Sequence, residues 1–477
     1  MQAFREGLAL ETYNKMKSDL RTPRTLHRTL GPLELVFLVF SALSPAMSVF
    51  IYGDGVLRMA GTGAVAAVLI GGLIAAVAAY LYAELGAAFP QAGGVYPSLV
   101  GVLGPFWAFP YITMMMMAAP TVTAFGLLGF ADYVRVLAPD LPEVPVALGC
   151  LAVACAVAVL GVRTGAVLTG VFLMLELIAL VLLTMVALAH PSRSLVSVLI
   201  HPVSLDHAVA KPLAPSTLGL AVVSAISTCS GAHWALYFSE ELKDAPRRIG
   251  ALITRIGRLA ALIIAVPLVL VVLSAPDLPR ILGSDTPVVA YMTLVAGPKF
   301  TAVISAVLVI AIFNALVVNI MGFGRLYYST GRDGIWPGPV NRVLAHVHPR
   351  SRSPMLATLV VCLGSAVLMA AGQRTLLIFT SMQNIPEYLL LATAVLIGRR
   401  TAMCGSYFKA PLHPLVPVVT LVAAAGMVYS ALMDGSAGRP ALLLVCGLFV
   451  CSWAYFRFRI SKLASTWMPT RPEADPS

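Results

Sequence analysis

Long apolar runs recur along the chain, parted by short stretches that are polar, basic or rich in glycine and proline. Runs of roughly 20 apolar residues are what a helix needs to cross the hydrocarbon of a bilayer. About twelve occur, near 32–53, 62–85, 106–131, 144–160, 165–189, 217–239, 250–275, 300–324, 355–372, 374–398, 411–433 and 440–457. The stretch Ala60–Ala83 carries no charge at all. Continuous runs without period-two alternation predict membrane helices and not a β-barrel.

Two runs break the pattern. The first reads SALSPAMSVFIYG, Ser41 to Gly53, with serines and a proline in its middle. The sixth reads SAISTCSGAHWALYFSEELKDAPRRIG, with Ser227, Thr228, Cys229, Ser230 and Gly231 clustered at the same relative depth. Inside lipid, backbone groups freed by a break survive only where protein or an aqueous cavity satisfies them. A single such break is as readily a proline kink as a site. Breaks in the first and sixth of the spans fall at corresponding places in two five-span halves. That pairing is the sequence pointer to an inverted-repeat carrier with its ligand at mid-membrane.

The chemistry expected there is backbone chemistry. An unwound segment offers N–H groups, aided by the positive end of the following half-helix, to an anion such as a carboxylate. Carbonyls at the end of the preceding half-helix suit an ammonium. Two breaks side by side are therefore expected to recognise a small zwitterion without charged side chains.

Composition sharpens this. Of 477 residues 59% are hydrophobic and 11% charged, which excludes disordered and ordinary soluble classes. With the N-terminus placed inside and spans alternating, 24 of the 32 lysines and arginines fall on the inner side and 8 on the outer. That bias predicts a multi-pass protein of the plasma or inner membrane with both termini cytoplasmic. It also explains the net charge of +11 by topology and anionic lipid, with no nucleic acid partner. The polar first 31 residues are expected to be a cytoplasmic tail and not a cleaved leader, with LETYNKM as a short surface helix. Residues 458–477 are expected to be a second such tail. The seven cysteines show no metal spacing and read as small packing residues. No cofactor or metal is expected.

Four segments, in order, resemble the amino acid–polyamine–organocation (APC) superfamily of permeases. They are SPAMSVF at the first break, YAELGAAFPQAGGVYP after the second span, GAHWALYFSEELKDAPRRIG through the sixth, and NALVVNIMGFGRLYYSTGRDGIWP from the eighth. The resemblance implies an all-α LeuT-like fold of twelve helices, with two five-helix inverted repeats over about 32–189 and 217–398. Helices 1 and 6 would be discontinuous, and helices 11 and 12, over 411–457, peripheral. It implies secondary active transport of amino acids or related amines by alternating access, by proton-coupled symport or by exchange. The carboxylate-binding segment of the family falls on Ser44, Pro45, Ala46, Met47 and Ser48, and the amino-group carbonyls around Thr228, Cys229 and Ser230, with Gly231 and Ala232 adjoining. Many bacterial members have a glycine-rich first break. Here Pro45 lacks an N–H, so the hydroxyls of Ser44 or Ser48 are expected to substitute, and the ligand need not be a plain α-amino acid.

Charged residues within spans need a partner, a proton or a water route. Glu176, in VFLMLELIAL of the fifth span, matches by spacing a lysine that replaces a sodium ion in some proton-coupled relatives. It reads either as the coupling carboxylate or as a structural glutamate bonded to a neighbouring span. Glu387 in the tenth span either lines the pathway or packs. Glu84 is expected to hold the inner gate or cap a helix end. After the sixth-span break, His233 reads as a ligand contact or a packing group, and Trp234 as a gate of the cavity or a packing group. Asn319 faces protein and is placed near Glu176. Met114–Met117 would form a soft wall if it faces the cavity.

Other classes fare worse. A membrane-embedded enzyme would need a convergent nucleophile and base or a metal set, and no HExxH or GxSxG pattern is present. A channel would need a repeated filter or charged ring. A non-transporting sensor on the same scaffold stays open.

Overall fold

The computed structural model describes residues 30–91, 93–160, 166–206, 209–348, 353–401, 403 and 405–460. Residues 1–29 and 461–477, the greater part of the two expected tails, lie outside the described residues, as do the LETYNKM segment and Arg163. The first run holds α1 (Pro32–Leu43), then α2 (Pro45–Met47), which passes through a π turn at Ser48–Tyr52 into α3 (Gly53–Ala60). There follow α4 (Ala64–Ala88), α5 (Tyr96–Leu103), α6 (Pro105–Leu137), α7 (Glu143–Leu160), α8 (Ala166–Ala189) and α9 (Leu195–Ile200). A short antiparallel hairpin comes next, β1 (Val203–Asp206) and β2 (Val209–Pro212).

The second half opens with α10 (Pro215–Cys229) and a 3-10 stretch at Ala232–Glu241. It continues with α11 (Ala245–Ser274), α12 (Leu278–Leu282), α13 (Pro287–Val295), α14 (Pro298–Arg332) and α15 (Gly338–Leu344). The chain ends in α16 (Met355–Leu368), α17 (Gln373–Met382), α18 (Asn384–Gly398), α19 (Leu415–Met433) and α20 (Gly438–Phe458).

Eight helices among the described residues are long and apolar enough to cross a membrane, or nine if the pair Met355–Ala371 and Gln373–Gly398, bent by 115°, is one span. The segment Pro32–Ala88 enters that count as a single 57-residue span. The protein is an integral, multi-pass, helical membrane protein.

Residue spacing explains which face of each helix turns inward. On α8 the exposed residues are Val171, Met174, Ile178, Val181, Met185 and Leu188, three or four apart. Leu173, Glu176, Leu180, Leu183 and Ala187 form the buried stripe on the other side. Glu176 is thereby directed into the bundle, as a carboxylate in lipid depth must be. Small residues let the inner helices approach closely. A Cβ on Gly71 of α4 would stand 2.8 Å from the backbone of Ala225 and Ile226 on α10. One on Gly257 of α11 would meet Ala79 of α4 at 2.5 Å. Thus α4 lies between α10 and α11. On α6, Gly126 and Gly129 leave room for Met47 and Ile51 of the broken first span.

Gly71→Val should therefore force α4 and α10 apart. The expected result is a midpoint lower by several degrees in a detergent thermal-unfolding assay, because overpacking costs typically about 1–3 kcal/mol. Gly149→Val on α7, where a Cβ meets nothing within 4 Å, should leave the midpoint unchanged.

Candidate functional site

The first break is narrower than the sequence suggests. α1 closes with the Ser44 N–H donating to Phe40 O at 2.8 Å, and Ser44 itself is left-handed, φ 45° and ψ 90°. Pro45 then begins the next helical segment. At that position its missing N–H needs no partner and its fixed φ is already helical. Pro45, Ala46, Met47 and Ser48 are therefore helical and not unwound, with Ser48 opening the π turn. The serine hydroxyl caps the new segment by accepting from the Met47 N–H at 3.1 Å. The Ser44 carbonyl accepts from the Ser48 N–H at 2.9 Å.

The donor that remains, the Ala46 N–H, goes to Glu176 Oε1 at 2.7 Å. The Ser44 hydroxyl donates to the same oxygen. All five residues, Ser44 to Ser48, and Glu176 are buried. Glu176 forms no ion pair among the described residues. The N–H groups expected to be free for a ligand are thus engaged within the protein.

The second break is of another kind. α10 ends at Cys229, with Ser230 extended (φ −80°, ψ 157°) and its N–H on Ile226 O at 2.9 Å. Gly231 follows at φ 155°. The chain then continues as a 3-10 stretch, which includes Ala232, His233 and Trp234 and not the regular half-helix expected. The Thr228 hydroxyl donates back to Ser224 O at 2.9 Å. Thr228 and Cys229 are buried, so their carbonyls end a helix inside the protein. A Cβ on Gly231 would run into the Leu43 side chain, the last residue of α1. The two breaks therefore abut.

Neighbouring helices close around them. On α14, Asn314 Nδ2 donates to Ser41 Oγ at 2.7 Å, and a Cβ on Gly322 would meet the Trp234 ring at 3.0 Å. Asn319 lies between these two, buried, with its Oδ1 unpartnered among the described residues. It forms no hydrogen bond with Glu176, whose acceptors face Ser44 and Ala46 instead. His233 Nδ1 is also buried and unpartnered, with its ring 5.6 Å from that of Tyr82 and 5.9 Å from that of Trp234. Trp234 packs against Tyr237 and Phe323, each with ring centroids at 5.2 Å.

Glu387 of α18 is buried and forms no ion pair among the described residues. Its Oε1 accepts from the hydroxyls of Tyr82 at 2.9 Å and Tyr111 at 3.2 Å. Next to it, Tyr388 OH lies 3.4 Å from Ser230 Oγ at the second break. Asn384, on the same helix, donates to Ser227 Oγ at 2.6 Å. Glu387 therefore belongs to the surroundings of the second break.

Glu84 serves elsewhere. Its carboxylate receives Arg399 Nε at 2.5 Å, Arg399 Nη2 at 2.7 Å and the Ala410 N–H at 2.8 Å. This bidentate pair ties the end of α4 to the end of α18. Arg325 pairs with Glu241 at 3.0 Å. The methionine run splits, with Met114 buried and Met117 exposed, so it makes no single wall.

Sequence reasoning missed a polar cluster at the end opposite Glu84. Buried Asp54 accepts from the Val288 N–H at 2.8 Å, and Gln373 bridges Arg58 at 3.2 Å and Asp132 at 3.3 Å. The available signal was an aspartate, Asp54, just past the first apolar run. It also missed Tyr82 and Tyr111 as partners of Glu387, because hydrogen bonds spanning 305 and 276 residues leave no local pattern.

Residues 30–452 match the sequence profile of a family described as amino acid permease. The chain is similar to the mouse Asc-type amino acid transporter 1, 29% identical over 78% of this chain and 71% of the relative. It is similar to the serine/threonine exchanger of Bacillus subtilis, 22% identical over 89% of this chain and 96% of the relative. It is also similar to a methylthioribose transporter of that organism, 24% identical over 83% and 87%.

Three substitutions test the geometry. Gly231→Ala should lower the thermal midpoint by driving a methyl into Leu43, and Leu43→Ala in the same chain should restore part of the loss. Arg399→Ala leaves the buried Glu84 carboxylate without its cation. It should cost about 3 kcal/mol, the low end for a broken buried pair because Arg399 keeps some exposure, read as lost folded yield and a lower midpoint.

Proposed function

We propose that this chain, which belongs to the amino acid permease family of the APC superfamily, is a secondary carrier for amino acids or related amines that works by alternating access. The observation that carries the reading is the abutment of two interrupted helices deep in the bundle, Ser44 against Gly231 through Leu43. In a bilayer-spanning protein such breaks are tolerated where protein or a water-filled cavity satisfies them, and paired breaks at corresponding places are the mark of a carrier's binding site. The names of the relatives, amino acid transporters and an exchanger among them, support the substrate class.

In this reading residues 32–398 form the transport core, with repeats over about 32–189 and 217–398, and α19 and α20 lie outside it. Counting Pro32–Ala88 as two crossings, the bent pair as two and α7 as one brings the eight long helices to twelve. The ligand sits between the two breaks. Its amino group meets the carbonyls of Thr228, Cys229 and Ser230, and Ser44, Ala46 and Ser48 stand on the other side. His233, Asn319 and Trp234 line the chamber. Their support is positional: two of them carry buried polar atoms with no hydrogen-bond partner among the described residues.

Protons are the coupling ion, and Glu176 and Glu387 are the groups that carry them. Buried carboxylates without a cation are costly at bilayer depth, by roughly 2.5–3.5 kcal/mol for an acidic side chain on the insertion scale. A proton removes that cost. Glu84 with Arg399 acts as a latch on the cytoplasmic side, where the termini are placed by the charge bias. The protein is a carrier and not an enzyme, and its membrane is the plasma or inner membrane.

Purified protein in liposomes should concentrate a radiolabelled amino acid when an inward proton gradient is imposed. Collapse of the gradient should abolish the accumulation. Binding without accumulation under any gradient or counter-substrate would mark a sensor instead. Glu176→Gln should retain exchange and lose gradient-driven uptake, and normal uptake with an unchanged pH profile would remove Glu176 from the coupling role.

A further inference from the structure

The breaks hold the ligand in the reading above, and the following rests on it. Each backbone donor of the turn after Ser44 can be traced. Pro45 has none, the Ala46 N–H goes to Glu176, the Met47 N–H to the Ser44 hydroxyl, and the Ser48 N–H to the Ser44 carbonyl. The Ser44 hydroxyl proton goes to Glu176 as well. No backbone donor of this turn is left over for a ligand anion. The carboxylate that fills the position arrives from a different helix, 130 residues away along the chain, and is 3% exposed.

Its placement is costly unless it has a use. Glu176 brings a carboxylate into lipid depth with no cation beside it among the described residues. The Ser44 side chain caps only the Met47 N–H, so the Ala46 N–H is a donor that either Glu176 or a ligand anion can take. Among the described residues, the helices packed against α8 at this level contribute Ser44 and Ala46 as polar partners of Glu176.

We propose that Glu176 is an internal occupant of the carboxylate position at the first break, so that a ligand carboxylate and the Glu176 side chain bind there in turn and never together. In this conformation the chain's own carboxylate holds the position. A ligand that carries one must displace it, taking over the Ala46 N–H and the Ser44 hydroxyl while Glu176 swings aside. A ligand with an amino group but no carboxylate meets no such competition. Glu176 is thus a specificity-determining residue that weakens carboxylate-bearing ligands relative to simple amines.

The excised fragment itself is the probe. Glu176→Ala retains the Cβ, and acetate is the missing carboxylate with its methylene carbon. Thermal unfolding of the purified variant should show a saturable rise in midpoint with sodium acetate at constant ionic strength, against chloride as control, and wild type should show none. L-serine should stabilise Glu176→Ala at concentrations about tenfold lower than wild type, which corresponds to about 1.4 kcal/mol. Ethanolamine, which is serine without its carboxylate, should show no such gain. If Glu176→Ala does not fold, Glu176→Gln, neutral and a weaker acceptor, should still bind serine more tightly than wild type.

Acetate that stabilises both proteins equally, or neither, overturns the proposal and leaves the carrier reading untouched. Serine affinity that falls in Glu176→Gln overturns it too. Acetate rescue with no response to any amino acid in any variant would uphold the occupant and sink the amino acid substrate.

Discussion

Peptide groups cannot go unpaired in hydrocarbon, and a helix that breaks there must find partners for what it releases. Nearly every feature around the first break follows from that constraint. Ser44 takes a left-handed conformation that a residue with a side chain adopts only at a cost of order 1–3 kcal/mol. Glycine would adopt it freely. What serine adds is a hydroxyl that accepts from the Met47 N–H and donates to Glu176. Proline next to it removes one donor that would otherwise need a partner. The break is thus made small, a single residue wide, and its last donor is met by a carboxylate.

The second break is built the other way. It ends a helix in carbonyls, uses Gly231 to pass Leu43, and runs on as a 3-10 stretch. Hydrogen bonds of that geometry are poorer than those of an α-helix, and long runs of it mark places under strain or able to hinge. Around it lie buried polar atoms without partners among the described residues, those on His233 and Asn319 included. The backbone donors of the first break are satisfied from within, whereas polar atoms beside the second are not.

Ties at the two ends frame this centre. Glu84 with Arg399 and Ala410 fastens one end of α4. Asp54 with Val288, and Gln373 between Arg58 and Asp132, fasten the other. Both sets join helices that sit far apart in the chain, so they hold a particular arrangement of the bundle. Of these ties Glu84 with Arg399 is the ion pair, and breaking a buried pair costs far more than forming it gains.

Composition and periodicity alone settle that this chain is a helical membrane protein, because hydrocarbon admits few other solutions. They also locate both interruptions, since Ser-Pro and Ser-Gly stand out against an apolar run. The charged positions Glu84, Glu176 and Glu387 are visible for the same reason. Their partners are not. That Glu176 meets Ala46 and not Asn319, that Glu387 takes Tyr82 and Tyr111, and that Pro45 starts a helix and does not unwind one are decided by helix packing. A hydrogen bond between residues more than a hundred positions apart has no period or spacing for a sequence to carry. It exists only once the helices have been laid side by side, and the glycines at 71, 126, 129, 231 and 257 set how closely they lie.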